Sequence, residues 1–236
     1  MQITSLKNAK VKYWLSLKEK KNRDKEMKFL IEGDHLIEEA RKQNLIVETI
    51  SIVDQNADYF VTKEIMTKIS CQKSISYNAA VVNFIKEEEI NGHVLVLDNI
   101  QDPGNLGTII RSCIAFNFKN IILSDTSVDI YNPKVIRATE GMIFHINVLR
   151  RNLQEFLPTL KMLGYNIVGT DVVKGNDIKN IVRENIALVL GNEGNGISND
   201  IKKLCDKFVY IKTSDDCESL NVGVAASILM YEVNNE

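Results

Sequence analysis

No run of about 18 consecutive apolar residues occurs in this chain of 236 residues, so no membrane-spanning helix is expected. The start, Met1-Gln-Ile-Thr-Ser-Leu-Lys7, lacks a charged segment followed by an apolar block. No secretory signal is therefore read, and the cytoplasm is the expected compartment. Cysteine is scarce: Cys71, Cys113, Cys205 and Cys217 form no C-x-x-C pair, and none stands at metal-ligand spacing from His35, His93 or His145. Reduced cysteines and no metal are expected. Strong charge of one sign is also missing, the formal net charge being −2. With 44% hydrophobic and 25% charged residues, the composition excludes a collagen, a coiled-coil rod and a mostly disordered chain. A chain this long buries an ordinary core without staples and has room for one or two domains.

The near-balance of charge hides an asymmetry. Residues 1–28 hold nine basic and three acidic residues, net +6, whereas 29–92 are net −5 and 93–236 net −3. A basic arm that includes Lys7, Lys10, Lys12 and Arg23 suits a polyanion. A solvated helix face is the alternative reading.

Over the first 90 residues short strands and helices alternate. Residues 29–32 and 46–53 are strand-like, 33–42 and 61–69 helix-like, and Leu36, Ile37 and Ala40 share one face. The polar stretch 85–92 is the expected linker between a domain at 1–90 and a second at 93–236. Beyond it the apolar runs 94–97, 121–123, 167–168, 186–190 and 208–211 are separated by helical stretches. Contiguous apolar runs are what parallel strands buried between helices require, so an open α/β sheet is expected. Phe144, Ile146 and Val148 alternate, as in a strand near an edge. Ligands of such sheets bind beyond the carboxyl ends of the strands, and the unusual residues cluster there, in three loops.

The first loop runs from Asp98 into a helix whose apolar stripe is Leu106, Ile109, Ile110, Cys113 and Ile114, with Asn105 at the expected N-cap. Gly107 and Arg111 lie near one meridian away from that stripe, an arrangement suited to a phosphate. The second, Leu190-Gly-Asn-Glu-Gly-Asn-Gly196, has the spacing G-x-x-G-x-G, which differs from the G-x-G-x-x-G of dinucleotide sites. Its Glu193 would repel a pyrophosphate, which argues against a nicotinamide-dependent enzyme. The third, after Tyr210, leads to a helix beginning near Ser219 that is apolar almost all round from Leu220 to Val233. Such a helix needs cover on more than one side.

These loops, in this order, resemble the three motifs of the SpoU/TrmH family of RNA ribose 2′-O-methyltransferases, in the SPOUT superfamily. The matching residues are Asp102-Pro-Gly-Asn-Leu-Gly-Thr-Ile-Ile-Arg111, Leu190-Gly-Asn-Glu-Gly-Asn-Gly-Ile197 and Glu218-Ser-Leu-Asn-Val-Gly-Val-Ala225. Asn132-Pro-Lys-Val-Ile-Arg-Ala-Thr-Glu-Gly141 is similar to the segment between its first two motifs. Ile3-Thr-Ser-Leu-Lys-Asn8 and Phe29-Leu-Ile-Glu-Gly33 resemble its ribosomal-protein-like substrate-binding domain. The resemblance implies a C-terminal trefoil knot, S-adenosylmethionine as cofactor, no metal and a homodimer with composite active sites. It places Thr170, Gly191, Ile211 and Leu220 against the cofactor, and Asn105, Arg111, Glu193, Ser219 and Asn221 in catalysis. Lys7, Lys10, Lys12, Arg23 and Arg111 are the expected RNA contacts. Ribosomal RNA is the expected substrate, with transfer RNA, or a non-catalytic RNA-binding protein that keeps the fold, as alternatives. The third motif departs from the family's Ile-Pro-Met-x-Gly, reading Ile211-Lys-Thr-Ser-Asp215. Cys217 beside it is expected to be incidental, because ribose methylation needs no thiol nucleophile.

Overall fold

The computed structural model describes residues 1–72, 75–172, 175–176 and 185–234. In chain order the first elements are β1 (Gln2–Ile3), α1 (Ala9–Ser16), α2 (Lys20–Glu26), β2 (Lys28–Glu32), α3 (Asp34–Lys42), β3 (Ile46–Ser51), β4 (Tyr59–Val61), α4 (Lys63–Ile69) and β5 (Asn78–Asn83). There follow β6 (Val94–Leu97), α5 (Pro103–Ala115), β7 (Asn120–Ser124), α6 (Pro133–Ala138), a 3₁₀ turn (Met142–His145), β8 (Asn147–Arg151) and α7 (Leu153–Met162). The last are β9 (Asn166–Thr170), β10 (Ile186–Leu190), α8 (Asn199–Lys202), β11 (Lys207–Val209) and α9 (Val222–Asn234). Two compact units result: Met1–Lys86 with Asp129–Phe144, and Glu87–Val128 with His145–Glu236. The break expected in 85–92 falls after Lys86. Residues 129–144, expected in the second domain, belong to the first unit, because Ile136, Ile143 and Phe144 pack into its core beside Phe29 and Ile31.

The first unit is a five-stranded sheet of order β1-β4-β3-β5-β2, with β5 antiparallel to both β2 and β3. Its alternating strands serve two cores. Ala79 and Val81 of β5 face Trp14, Ile65 and Met66, whereas Ala80 and Val82 face Phe29, Leu36 and Ile37. The fully buried Trp14 donates its Nε1–H to Glu48 Oε1 at 2.6 Å, and Lys10 Nζ closes on Glu48 Oε2 at 2.5 Å. That bond raises the Lys10 pKa. Lys10, expected as an RNA contact, is thus already the partner of a buried carboxylate. The expectation that Arg23 contacts RNA is corrected. Arg23 is only 4% exposed; it donates to the carbonyls of Leu17 and Lys18 and pairs with Asp129 at 2.5 Å. Lys7 and Lys12 remain exposed.

The second unit is a six-stranded sheet, parallel throughout, of order β11-β9-β10-β6-β7-β8. Every residue of β6, β7 and β10 is buried, as strands covered on both faces must be. Leu153, Leu157 and Leu160 of α7 pack with Val94, Val96, Ile167, Ala187 and Val189 on one face. β8 lies at the edge as expected, but Phe144 sits in the 3₁₀ turn ahead of it. The helix expected over 61–69 starts at Lys63, because Thr62 caps it and Val61 ends β4. Among the described residues no helix is long and apolar enough to cross a membrane.

Candidate active site

The carboxyl ends of β6, β9, β10 and β11 lie side by side, so the three loops leave the sheet together. The first starts α5 differently from expectation. The N-cap is Asp102, whose Oδ1 accepts from Asn105 N at 2.8 Å, and Pro103 follows at the first helical position. Proline's fixed φ and missing N–H suit that position, so the helix begins two residues before Asn105. The Asn105 side chain is thereby released from capping and turns to the second loop. Gly107, expected to offer open backbone to a phosphate, is buried. α9 packs along α5 here: a Cβ on Gly223 would lie 3.3 Å from Thr108 Cγ2, and the hydroxyls of Ser112 and Ser227 meet at 2.7 Å.

Glu193 is the hub. Its Oε1 accepts from Asn105 Nδ2 at 3.0 Å and, at longer range, from Asp102 N at 3.3 Å. Its Oε2 takes Asn192 Nδ2 at 3.4 Å and Gln101 N at 3.5 Å. Asn105 Oδ1 in turn accepts from Asn221 Nδ2 at 2.9 Å, while Asn221 Oδ1 accepts from the backbone N–H groups of Gly223 and Val224 that open α9. One chain of hydrogen bonds thus joins all three loops, and each asparagine amide uses both ends, which fixes its orientation. Asp98 ties the first two loops from below, its Oδ2 accepting from Ser198 N at 2.8 Å and its N–H donating to Leu190 O at 2.8 Å.

Asn105, Glu193 and Asn221 are therefore brought together. Arg111 and Ser219 are exposed and bond to none of them. Among the described residues the Arg111 side chain has no hydrogen bond or ion pair, so its guanidinium is available to an external anion. Of the residues expected at the cofactor, Gly191 is buried and Thr170, Ile211 and Leu220 are half-buried. They follow or end adjacent parallel strands, or precede α9. Half-buried apolar side chains beside backbone at strand ends suit a flat apolar ring with polar edges. Where the third motif lacks its proline and glycine, Asp215 and Asp216 form an exposed turn closed by Cys217 N to Ser214 O at 3.0 Å. All four cysteines are free, and burial raises the thiol pKa of Cys71, Cys113 and Cys205, the last to about 11. The Gln101, Asp102 and Asn192 donors around Glu193 were not singled out in the sequence. Two of them are backbone groups, and no residue type marks those.

Three loops joined through Asn105, Glu193 and Asn221 thus meet at the carboxyl ends of a parallel sheet, and this chain belongs to the SpoU rRNA methylase family, whose model matches residues 92–231. A second model, the MRM3-like substrate binding domain, matches residues 8–80. Among relatives, the 23S rRNA (guanosine(2553)-2′-O)-methyltransferase RlmP of Bacillus subtilis (strain 168) is 38% identical over 244 aligned residues, covering 98% of each chain. A solved rRNA methyltransferase from Sinorhizobium meliloti superposes with TM-score 0.89 at 25% identity, over 99% of this chain and 96% of that one. A solved RNA 2′-O ribose methyltransferase superposes with TM-score 0.84 at 26% identity, over 99% and 98%.

Proposed function

We propose that the protein transfers a methyl group from S-adenosylmethionine to a ribose 2′-hydroxyl of 23S ribosomal RNA, at the nucleotide corresponding to that named for RlmP. The observation that carries this reading is the hydrogen-bonded junction of Asn105, Glu193 and Asn221 at the strand ends of a SpoU-family sheet. When bound, the cofactor supplies a methyl group already activated by its sulfonium. The protein's task is alignment, which lowers such a barrier by several kcal/mol. The N–H groups directed at Glu193 occupy its lone pairs, so this carboxylate anchors Asn105 and the first loop in place. Asn105, Asn221 and Ser219 present polar groups to the ribose. Arg111 stays protonated and clamps the phosphate beside the target sugar, steadying charge that builds on the 2′-oxygen. Thr170, Gly191, Ile211 and Leu220 hold the cofactor, and the chain from β11 to α9 is threaded as the trefoil knot the family implies. In support, a chain leaving β11 at one edge must cross the ends of β9 and β10 to bring α9 against α5. Mapping of ribose methyls in 23S rRNA with and without the gene tests the activity. One methyl should vanish and return with the wild-type gene; an unchanged map together with no transfer to rRNA in vitro rejects it.

The working form is a homodimer in the cytoplasm. Val224, Ile228 and Tyr231 are 45%, 37% and 49% exposed at i, i+4 and i+7, one apolar face of α9 left open beside α5. Light scattering at micromolar concentration should give twice 26.7 kDa, and a monomer there would reject the composite site.

RNA is gripped by Lys7 and Lys12 of the basic arm. Lys7→Glu with Lys12→Glu should weaken rRNA binding and reduce its salt slope by about one per lost phosphate contact. Arg23→Met should behave oppositely. It should cost about 3–5 kcal/mol in denaturant unfolding by stranding Asp129, with the salt slope unchanged. An unchanged slope in the lysine double variant returns the arm to a solvated face.

A further inference from the structure

The first loop is shaped by a template that itself hangs on one arginine. The stretch from Ser124 at the end of β7 to Val128 lies against the loop that follows β6. Ser124 Oγ accepts from Asn99 N at 2.9 Å and Ser127 Oγ from Ile100 N at 3.1 Å. Thr126 O accepts from Gln101 Nε2 at 2.7 Å, and Val128 N donates to Ile100 O at 2.8 Å. Four successive contacts thus set the path of residues 99–101, with Asn99 held in the left-handed region at φ +62°. That path aims the N–H groups of Gln101 and Asp102 at Glu193 and starts α5, which carries Asn105.

The template is a tight turn whose carbonyls cannot all point into helix or sheet. Arg150, paired with Leu123 across β7 and β8, collects them. Its Nη1 donates to the carbonyls of Ser124, Asp125 and Ser127 at 2.8, 3.1 and 2.9 Å, and its Nη2 to Val128 O at 2.7 Å. Only a planar guanidinium offers enough donors in one rigid fork for four converging carbonyls; a lysine offers a single point.

We propose that Arg150 is a positioning residue for methyl transfer: by gathering the carbonyls of Ser124–Val128 it fixes the hydroxyls of Ser124 and Ser127, and through them the backbone that seats Glu193 and Asn105. Arg150 acts through these groups, and the proposal rests on the anchoring role of Glu193 given above.

A double-mutant cycle on single-turnover methyl transfer to rRNA tests it. Arg150→Met should lower the rate about 10- to 100-fold, the scale of a misplacement near 1 Å. Arg150→Lys should fall between, and donor affinity by calorimetry should stay within about twofold of wild type. In a Glu193→Gln background, Arg150→Met should cost little more, because its route to the reaction is already cut. A full, additive loss there, or a wild-type rate for folded Arg150→Met, overturns the positioning role. A wild-type rate for Glu193→Gln alone instead rejects the anchoring role of Glu193. If Arg150→Met does not fold, Ser127→Ala decides by the same cycle. It removes one hydroxyl of the template, and its loss must likewise disappear in the Glu193→Gln background; an additive loss or no loss overturns the proposal.

Discussion

Alanine in place of Gly191 is expected to abolish methyl transfer, by about 100-fold or more, and to lower the melting temperature. An added Cβ would lie 2.0 Å from Gly196 C and Ile197 N and 2.3 Å from Gly196 O. These are backbone atoms, so no rotamer change relieves the clash. They belong to a loop closed on itself, Asn192 N to Gly196 O at 3.0 Å and Gly196 N to Asn192 O at 2.9 Å. The loop must open, and opening it carries Glu193 away from Asn105 and pulls on Ile197, which is buried in the core under α7. The overpacking cost is about 1–3 kcal/mol or more. Gly194→Ala is the control. There the nearest neighbour is Asn192 Oδ1 at 3.6 Å, an ordinary contact, so rate and melting temperature should stay near wild type. A Gly191→Ala variant with the wild-type rate and stability would mean that this loop does not shape the site.

Arg111→Ala is expected to cut methyl transfer about 100- to 1,000-fold, the scale for losing a charged group that stabilises a developing oxyanion. The folded protein should not notice, since the side chain is exposed and makes no hydrogen bond or ion pair among the described residues. Melting temperature, mass in solution and donor affinity should therefore match wild type, while the salt slope of RNA binding falls by about one. Arg111→Lys keeps the charge but loses the fork, so it should recover part of the RNA affinity and less of the rate. Transfer near the wild-type rate in Arg111→Ala would remove the residue from the mechanism.

Both expectations start from residues that stood out in the sequence, and the reason they did is instructive. Strands buried on both faces must be apolar throughout, so β6, β7 and β10 show as unbroken runs, and the loops after them attract notice by contrast. The mixed sheet of the first unit was harder to read. β1 and β4 span two and three residues, too short for a period to register, and helix α2 is mostly charged.

What the sequence by itself determined was the class of fold, the order of the three loops and the chemical types gathered in them, because local periodicity and motif spacing follow from neighbours along the chain. Partnership was decided only in three dimensions. Arg23 belongs to a basic run in the sequence, yet it is buried by Asp129, 106 residues away. Asn105 stands where a cap would serve, yet Asp102 and Pro103 free its amide for Glu193, 88 residues on. Lys10, one of three similar lysines, is alone in meeting a buried carboxylate. A side chain's charge is written in the sequence, but what neutralises it depends on which distant segment the fold lays beside it.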